Sequence, residues 1–332
     1  METFRLGSLT LWSFGTVMAG ATALAVLVMH LLRDRAGCRR DTPLVLSTLA
    51  IPLSVLLARI GWWLCSLDWL RSTALSFWSF SDGGYMLYGA LLGGALAALI
   101  TSRFRKEPFG RVADLAAAPY AIVIAAARFA EYLTGNGYGS GVVEWFDPLE
   151  EWSMIAWEDP SPLCRFPFAV QNFYGTWRFS INFWEGLAAL VFLIVLLRMK
   201  KRKPGAGAIL LLLMYAACQI VFESMRRDEV LRWSFVRINQ LLSAVLVLGL
   251  LVLCWQLQPA EKRSGRELAL RLCGLLVCVG IVMLMEFVLD QKVSFLLWIR
   301  ADLSYLIDIA ACAGMLLLVL PLWRRAFPEQ RS

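Results

Sequence analysis

An apolar run of about 20 residues, the length that crosses a ~30 Å hydrocarbon core, recurs along this whole chain and constrains its fold more than any other feature. The runs cover roughly residues 9–32, 43–66, 84–102, 114–134, 180–198, 207–222, 238–256, 268–289 and 303–323. Backbone polar groups in lipid must be satisfied within the segment, so each run is expected to be a helix. The expected fold class is all-α, a polytopic helical membrane protein with about nine transmembrane helices. Composition agrees, at 59% hydrophobic and 17% charged residues, against about 45–50% and about 25% in soluble domains. The first run is too long for a signal-peptide core, begins after Glu2 and Arg5, and has no small-residue cleavage site behind it. It is expected to stay attached as a helix.

Basic residues fall in alternate loops. Arg33, Arg35, Arg39 and Arg40 occupy the first, and Arg103, Arg105, Lys106 and Arg111 the third. Arg198, Lys200, Lys201, Arg202 and Lys203 occupy the fifth, and Lys262, Arg263, Arg266 and Arg271 the seventh. By the positive-inside rule these loops are cytoplasmic and the N-terminus lies outside. With an odd number of spans, the tail carrying Arg324, Arg325 and Arg331 also lies inside. The net charge of +7 then follows from membrane topology and points to no nucleic-acid partner. His30 is the single histidine, and the eight cysteines form no CxxC pair; no metal or other cofactor is expected.

The one long connection, residues 135–179, begins with a glycine-dense stretch. It continues through Glu144, Trp145, Asp147, Glu150, Glu151, Trp152, Trp157, Glu158 and Asp159. Its length and its tryptophans predict a folded extracytoplasmic cap at the membrane interface, either part of the site or a plain plug.

Ionisable groups inside spans are costly, and each is a functional candidate. Arg59 lies about 10 Å deep in the second span at 1.5 Å per residue, and Arg128 is at similar depth in the fourth, with Glu131 on the same face at i+3. Glu185 opens the fifth span, Glu223, Arg226 and Arg227 close the sixth, and Glu286 and Asp308 lie in the last two. All sit toward the expected outer side, where Arg226, Arg227 and Arg232 run against the positive-inside trend. Guanidinium forks suit phosphate, and the phosphate always present at that depth belongs to a phospholipid. Structural interhelical ion pairs, or arginines snorkelling to the interface, are the competing reading. Gly89 and Gly93 in the third span have the small-xxx-small spacing of close helix packing.

In order, these motifs resemble the bacterial prolipoprotein diacylglyceryl transferase family over roughly residues 8–257. Phe14-Gly15 stands where the family has Tyr-Gly. Ala58-Arg59-Ile60-Gly61-Trp62 is similar to Gly-Ala-Arg-Leu-Gly-Tyr, and Gly83-Gly84 with Tyr88-Gly89-Ala90-Leu91-Leu92-Gly93 to Gly-Gly-x-x-x-His-Gly-Gly-Leu-Leu-Gly. Ala127-Arg128-Phe129-Ala130-Glu131-Tyr132, continued by Gly135, Tyr138 and Gly139, resembles Gly-Arg-x-Gly-Asn-Phe-x-Asn-Gly-Glu-x-Tyr-Gly. Arg178 to Glu185 resembles Arg-His-Pro-Ser-Gln-Leu-Tyr-Glu, Phe222 to Arg226 resembles Val-Glu-Phe-Phe-Arg, and Asn239 to Ser243 resembles Gly-Gln-Ile-Leu-Ser. The departures are specific. Tyr88 replaces a histidine, Glu131 and Thr134 replace asparagines, Asn136 replaces a glutamate, and Gln219 replaces an arginine.

The resemblance implies transfer of the diacylglyceryl group of phosphatidylglycerol to the lipobox cysteine of a prolipoprotein signal peptide. The reaction would take place at the outer leaflet of the bacterial cytoplasmic membrane, without a cofactor. The candidate catalytic set for that reaction is Arg128, Glu131 and Tyr88, the last two chosen for their chemistry, and the candidate head-group set is Arg59, Arg128, Arg226, Glu223, Gly139 and Glu185. Glu131 is the candidate to receive the thiol proton, Tyr88 a hydrogen-bond donor to the lipid, and Glu223 a support for an arginine. The transferase-like core is residues 1–257, including the 135–179 arm, and residues 258–332 form an additional two-helix region. Because the departures fall on proton-handling positions, a homologue that binds lipid or lipoprotein without turnover, or that acts on a different lipid, is the alternative. A transporter or flippase is disfavoured by the lack of an internal repeat.

Overall fold

The computed structural model describes residues 3–6, 9–66, 77–78, 83–142, 162–172, 175–226, 232–233, 236–296 and 298–330. Among the described residues nine helices are long and apolar enough to cross a membrane: α1 (Ser13–Ala36), α2 (Thr42–Cys65), α3 (Leu87–Arg105), α4 (Phe109–Thr134), α5 (Ile181–Arg198), α6 (Ala206–Met225), α7 (Ile238–Gln256), α8 (Gly265–Leu289) and α9 (Ala301–Ala326). Among the same residues, three two-stranded antiparallel ribbons accompany them: β1 (Thr3–Leu6) with β2 (Leu9–Trp12), β3 (Ala169–Gln171) with β4 (Trp177–Phe179), and β5 (Arg232–Trp233) with β6 (Val236–Arg237). The chain is a multi-pass helical membrane protein, the class expected.

Span boundaries differ from hydropathy by up to five residues, the largest at α4, which starts at Phe109 rather than residue 114, and those of the first and third helices have local reasons. The first helix begins at Ser13 because residues 9–12 pair with residues 3–6 as a hairpin, and over four residues an apolar run does not separate strand from helix. It then continues through Arg33, Asp34 and Arg35 and stops at Gly37, whose φ of 70° ends it with amide bonds back to Arg33 and Asp34. The third starts at Leu87 rather than residue 84, since Gly83 and Gly84 take φ values of 76° and 77°.

Helices α4 and α6 are central: 61% of the apolar window of each is buried, against 17% for α1. Helix α3 lies on α2 along its glycine face, where a Cβ at Gly89 would come within 2.8 Å of the Ala58 backbone and one at Gly93 within 2.6 Å of Ser54. Helix α9 packs on α6 and α7 through Leu213, Val247, Leu251, Met315 and Leu322.

At one end of the bundle the basic connections are tied together. Glu107 accepts the Arg39 amide (2.9 Å) and the Thr42 hydroxyl (2.8 Å), Arg35 donates to the carbonyls of Leu197 and Met199, and Arg202 donates to the Phe327 carbonyl (2.6 Å) and Glu329 (2.8 Å). Burial and the neighbouring Glu107 push the Cys38 thiol in this region up to about 12, which leaves it protonated and unreactive. The opposite, arm end holds the buried charges. Here β3 and β4 form a hairpin whose Ala169 and Phe179 pack with Val142, Ile181, Phe222 and Met225, seating the described part of the 135–179 arm on the end of α6. The acidic and aromatic residues from Glu144 to Asp159, and Arg227, lie outside the described residues.

Candidate functional site

Helix α4 carries Arg128 and Glu131 one turn apart, and Gly135 ends it in a left-handed turn with φ 75°. The chain then folds back over Glu131. Gly137 sits so close that a Cβ there would lie 2.6 Å from a Glu131 carboxylate oxygen and 2.9 Å from the Arg226 guanidinium, and its φ is 79°. Glycine alone meets both demands. Gly139 continues the return, donating its amide to the Phe179 carbonyl (2.8 Å) and bridging to the backbone of Arg226.

Four charged side chains from three helices meet beneath this turn. Arg128 Nη1 lies 2.5 Å from Glu131 Oε1, and Arg128 Nε lies 2.6 Å from Glu185 Oε1. Arg226, which caps α6, donates to the other oxygen of Glu131 and stands 3.8 Å from Glu185 Oε2. The result is a closed alternation of two cations and two anions. Such charges are tolerated away from water only when each answers another. The carboxylates differ in access, since the Glu131 side chain is 20% exposed and that of Glu185 only 3%.

Glu223 does not bind Arg226 through its carboxylate. Its oxygens accept from Gln219 (3.1 Å) and Asn239 (3.1 Å), while its carbonyl accepts from Arg237. Tyr88 reaches the same region from α3, with its hydroxyl 2.5 Å from Ser243 and its ring edge-on to Tyr215 at 5.5 Å. Tyr215 in turn stands beside Arg128.

Arg59 is buried in different company. It donates to the carbonyls of Phe77 (3.1 Å), Gly83 and Gly84 (3.2 Å), and lies over the rings of Trp62 (5.3 Å) and Tyr85 (5.8 Å). A Cβ on Gly84 would come within 2.7 Å of its Nη1. Burial raises the Tyr85 phenol above its ordinary value while Arg59 lowers it, and the net direction is upward, keeping the ring neutral. The structure thus joins Arg128, Arg226, Glu131, Glu185 and Gly139 in one cluster, sets Glu223 and Tyr88 beside it, and places Arg59 on a separate backbone cradle.

Arg237, buried at the start of α7, escaped the sequence reading. It donates to the carbonyls of Glu223 and Arg226 (3.1 Å) and lies 3.2 Å from Glu286. The signal was present in Arg237-Ile238-Asn239-Gln240, three polar residues opening an otherwise apolar helix. Among the described residues no group of His, Cys, Asp and Glu has the arrangement of a metal site. Chemically, the cluster offers two guanidinium forks to one anion and an accessible carboxylate between them.

Residues 2–256 match the family described as prolipoprotein diacylglyceryl transferase. Relatives named phosphatidylglycerol–prolipoprotein diacylglyceryl transferase include one from Symbiobacterium thermophilum, 29% identical across 78% of this chain and 93% of its own length. Another, from Acaryochloris marina, is 28% identical across 76% and 89%, and one from Listeria welshimeri 26% across 75% and 87%. The chain belongs to the prolipoprotein diacylglyceryl transferase family, with α8 and α9 lying beyond the matched residues.

Proposed function

We propose that this protein transfers the diacylglyceryl group of phosphatidylglycerol to the lipobox cysteine of prolipoproteins, at the outer leaflet of the bacterial cytoplasmic membrane. The N-terminus faces outside and the C-terminus the cytoplasm. The alternation of basic loops supports this orientation, which puts the charge cluster where a translocated peptide and a lipid head group meet. The observation that carries the reading is Glu131, held between Arg128 and Arg226 as a removable stand-in for a phosphate.

In this mechanism the lipid phosphate displaces Glu131, the more accessible of the two carboxylates, and takes both guanidinium forks in its place. Glu185 keeps Arg128 aimed throughout. The freed Glu131 carboxylate then receives the proton of the incoming cysteine thiol. The sulfur attacks the glycerol carbon bearing the phosphate ester, so a carbon–sulfur bond forms as the carbon–oxygen bond breaks, and glycerol phosphate departs with the electron pair. Charge growing on the departing oxygen is met by cations already in place, the largest contribution in most such sites. Arg59 completes the head-group set from its cradle, the turn at residues 135–139 covers the cluster, and the 135–179 arm guides the signal peptide.

A second reading, lipid retention without turnover, is favoured by Tyr88, whose hydroxyl is engaged with Ser243. Complementation separates the two. In cells depleted of their own transferase, the unaltered chain should restore prolipoprotein modification, whereas Arg128→Ala and Glu131→Gln should not. A chain present in the membrane that leaves prolipoprotein unmodified would sink the transferase reading.

A further inference from the structure

The hairpin of α8 and α9 lies outside the residues matched to the family, yet its buried acids reach the end of α6. A helix leaves its last carbonyls without partners of its own. At the end of α6 Arg237, just ahead of α7, supplies a donor: its Nη1 donates to the Glu223 carbonyl and, at 3.1 Å, to that of Arg226, while Gln240 Nε2 of α7 donates to the Ile220 carbonyl one turn further in at 3.1 Å. Both donors converge on one hairpin residue. Glu286 sits 3.2 Å from Arg237 Nε through Oε2 and accepts from Gln240 at 2.7 Å through Oε1. Asp308 of α9 makes a parallel tie, accepting from Ser224 at 3.3 Å.

We propose that the α8–α9 hairpin is a positioning element of the site, in which Glu286 orients Arg237 to cap α6 and Gln240 to brace its last turns, so that the Arg226 guanidinium is aimed at the cluster. Two features of the geometry carry this. The Arg226 backbone is gripped twice, by Arg237 on its carbonyl and by the bridge to Gly139, so a shift in the cap moves the guanidinium relative to Glu131. The carboxylate of Glu286 also meets both donors at once, one oxygen on Arg237 and the other on Gln240, so it fixes them relative to each other. Glu286 is therefore a positioning residue acting through Arg237, and its effect on turnover rests on the reading of Arg226 as a phosphate ligand.

The test uses the full chain in lipid nanodiscs and compares Glu286→Ala and Glu286→Gln with Arg271→Ala, which breaks a contact inside the hairpin (Arg271 to Glu267, 2.8 Å) about 22 Å along α8 from Glu286 at 1.5 Å per residue. Hydrogen exchange is read at the amides of residues 220–226. Glu286→Ala should speed exchange there by about tenfold or more, as expected for a lost local constraint. Glu286→Gln, whose amide oxygen still accepts from Arg237, should fall between it and the unaltered chain, and Arg271→Ala should leave those amides unchanged. In the same preparations Glu286→Ala should lower kcat/KM for phosphatidylglycerol by about 10–100-fold, the size expected for misplacing a catalytic group, with partial recovery in Glu286→Gln. Exchange at 220–226 within about twofold of the unaltered chain, or acceleration spread evenly over all helices, would overturn the proposal. An unaltered chain without transferase activity would instead defeat the functional reading, and the exchange comparison would still decide the role of Glu286.

Discussion

The arm end of the bundle holds two kinds of buried arginine. Arg128 and Arg226 are answered by carboxylates, so their cluster is neutral as a whole, and an incoming anion must take the place of an anion already there. Among the described residues Arg59 is gripped by carbonyl oxygens and aromatic faces, which tie it to the backbone ahead of α3. The first arrangement suits exchange, because Glu131 can leave and phosphate can enter with little change in net electrostatics. The second suits permanence, since the cradle is made of backbone and Gly84 leaves no room for the chain to shift.

This contrast is open to direct attack by mutation, and the largest effect is expected at Arg128. Arg128→Ala leaves Glu185 buried beside a single distant cation, and should destabilise the protein by about 3–5 kcal/mol in denaturant unfolding in detergent. A cost under about 1 kcal/mol would mean the cluster is not electrostatically closed. Arg226→Lys keeps the charge but loses the fork, so kcat/KM should fall by the equivalent of about 1.5–3 kcal/mol, the worth of charge-assisted bonds, while the fold survives. Arg59→Gln should cost less stability than Arg128→Ala, about 1–3 kcal/mol by the same unfolding measurement, because the glutamine amide can still donate to the carbonyls of the cradle. Equal costs at Arg59 and Arg128 would erase the distinction between the two sites. The smallest change should come from Tyr88→Phe, which removes one hydrogen bond to Ser243 and should cost about 1 kcal/mol. A large loss of turnover from that substitution would move Tyr88 into the chemistry.

Much of the fold was legible in the sequence because a bilayer imposes length and apolarity together; the span positions emerged within a few residues for that reason. What hydropathy misses is backbone geometry. The hairpin ahead of α1 and the glycine turn ahead of α3 depend on local φ values and strand pairing that apolar content does not encode. Within the site, Arg128 and Glu131 could be paired in advance because i and i+3 share a helix face. The meeting of Arg226 with Glu131, by contrast, depends on how α4 and α6 pack across 95 residues of sequence. Arg59 and Arg128, similar in depth and context as text, separate only in three dimensions, where the loop at Gly83 and Gly84 claims Arg59. The hairpin of α8 and α9 illustrates the same limit, since Glu286 gains meaning only beside Arg237.

If the Arg128–Glu131–Arg226 cluster exchanges its carboxylate for a lipid phosphate and drives transfer, the reaction should be visible in a minimal system. The most direct test is reconstitution of the purified chain with phosphatidylglycerol and a lipobox peptide, reading peptide mass and released glycerol phosphate together, with the Symbiobacterium thermophilum relative as a parallel reaction. A diacylglyceryl mass gain on the cysteine is expected, matched one-for-one by glycerol phosphate, with neither product from Arg128→Ala or Arg226→Ala. An unmodified peptide beside a modified one in the parallel reaction, or full activity in either arginine variant, would contradict it.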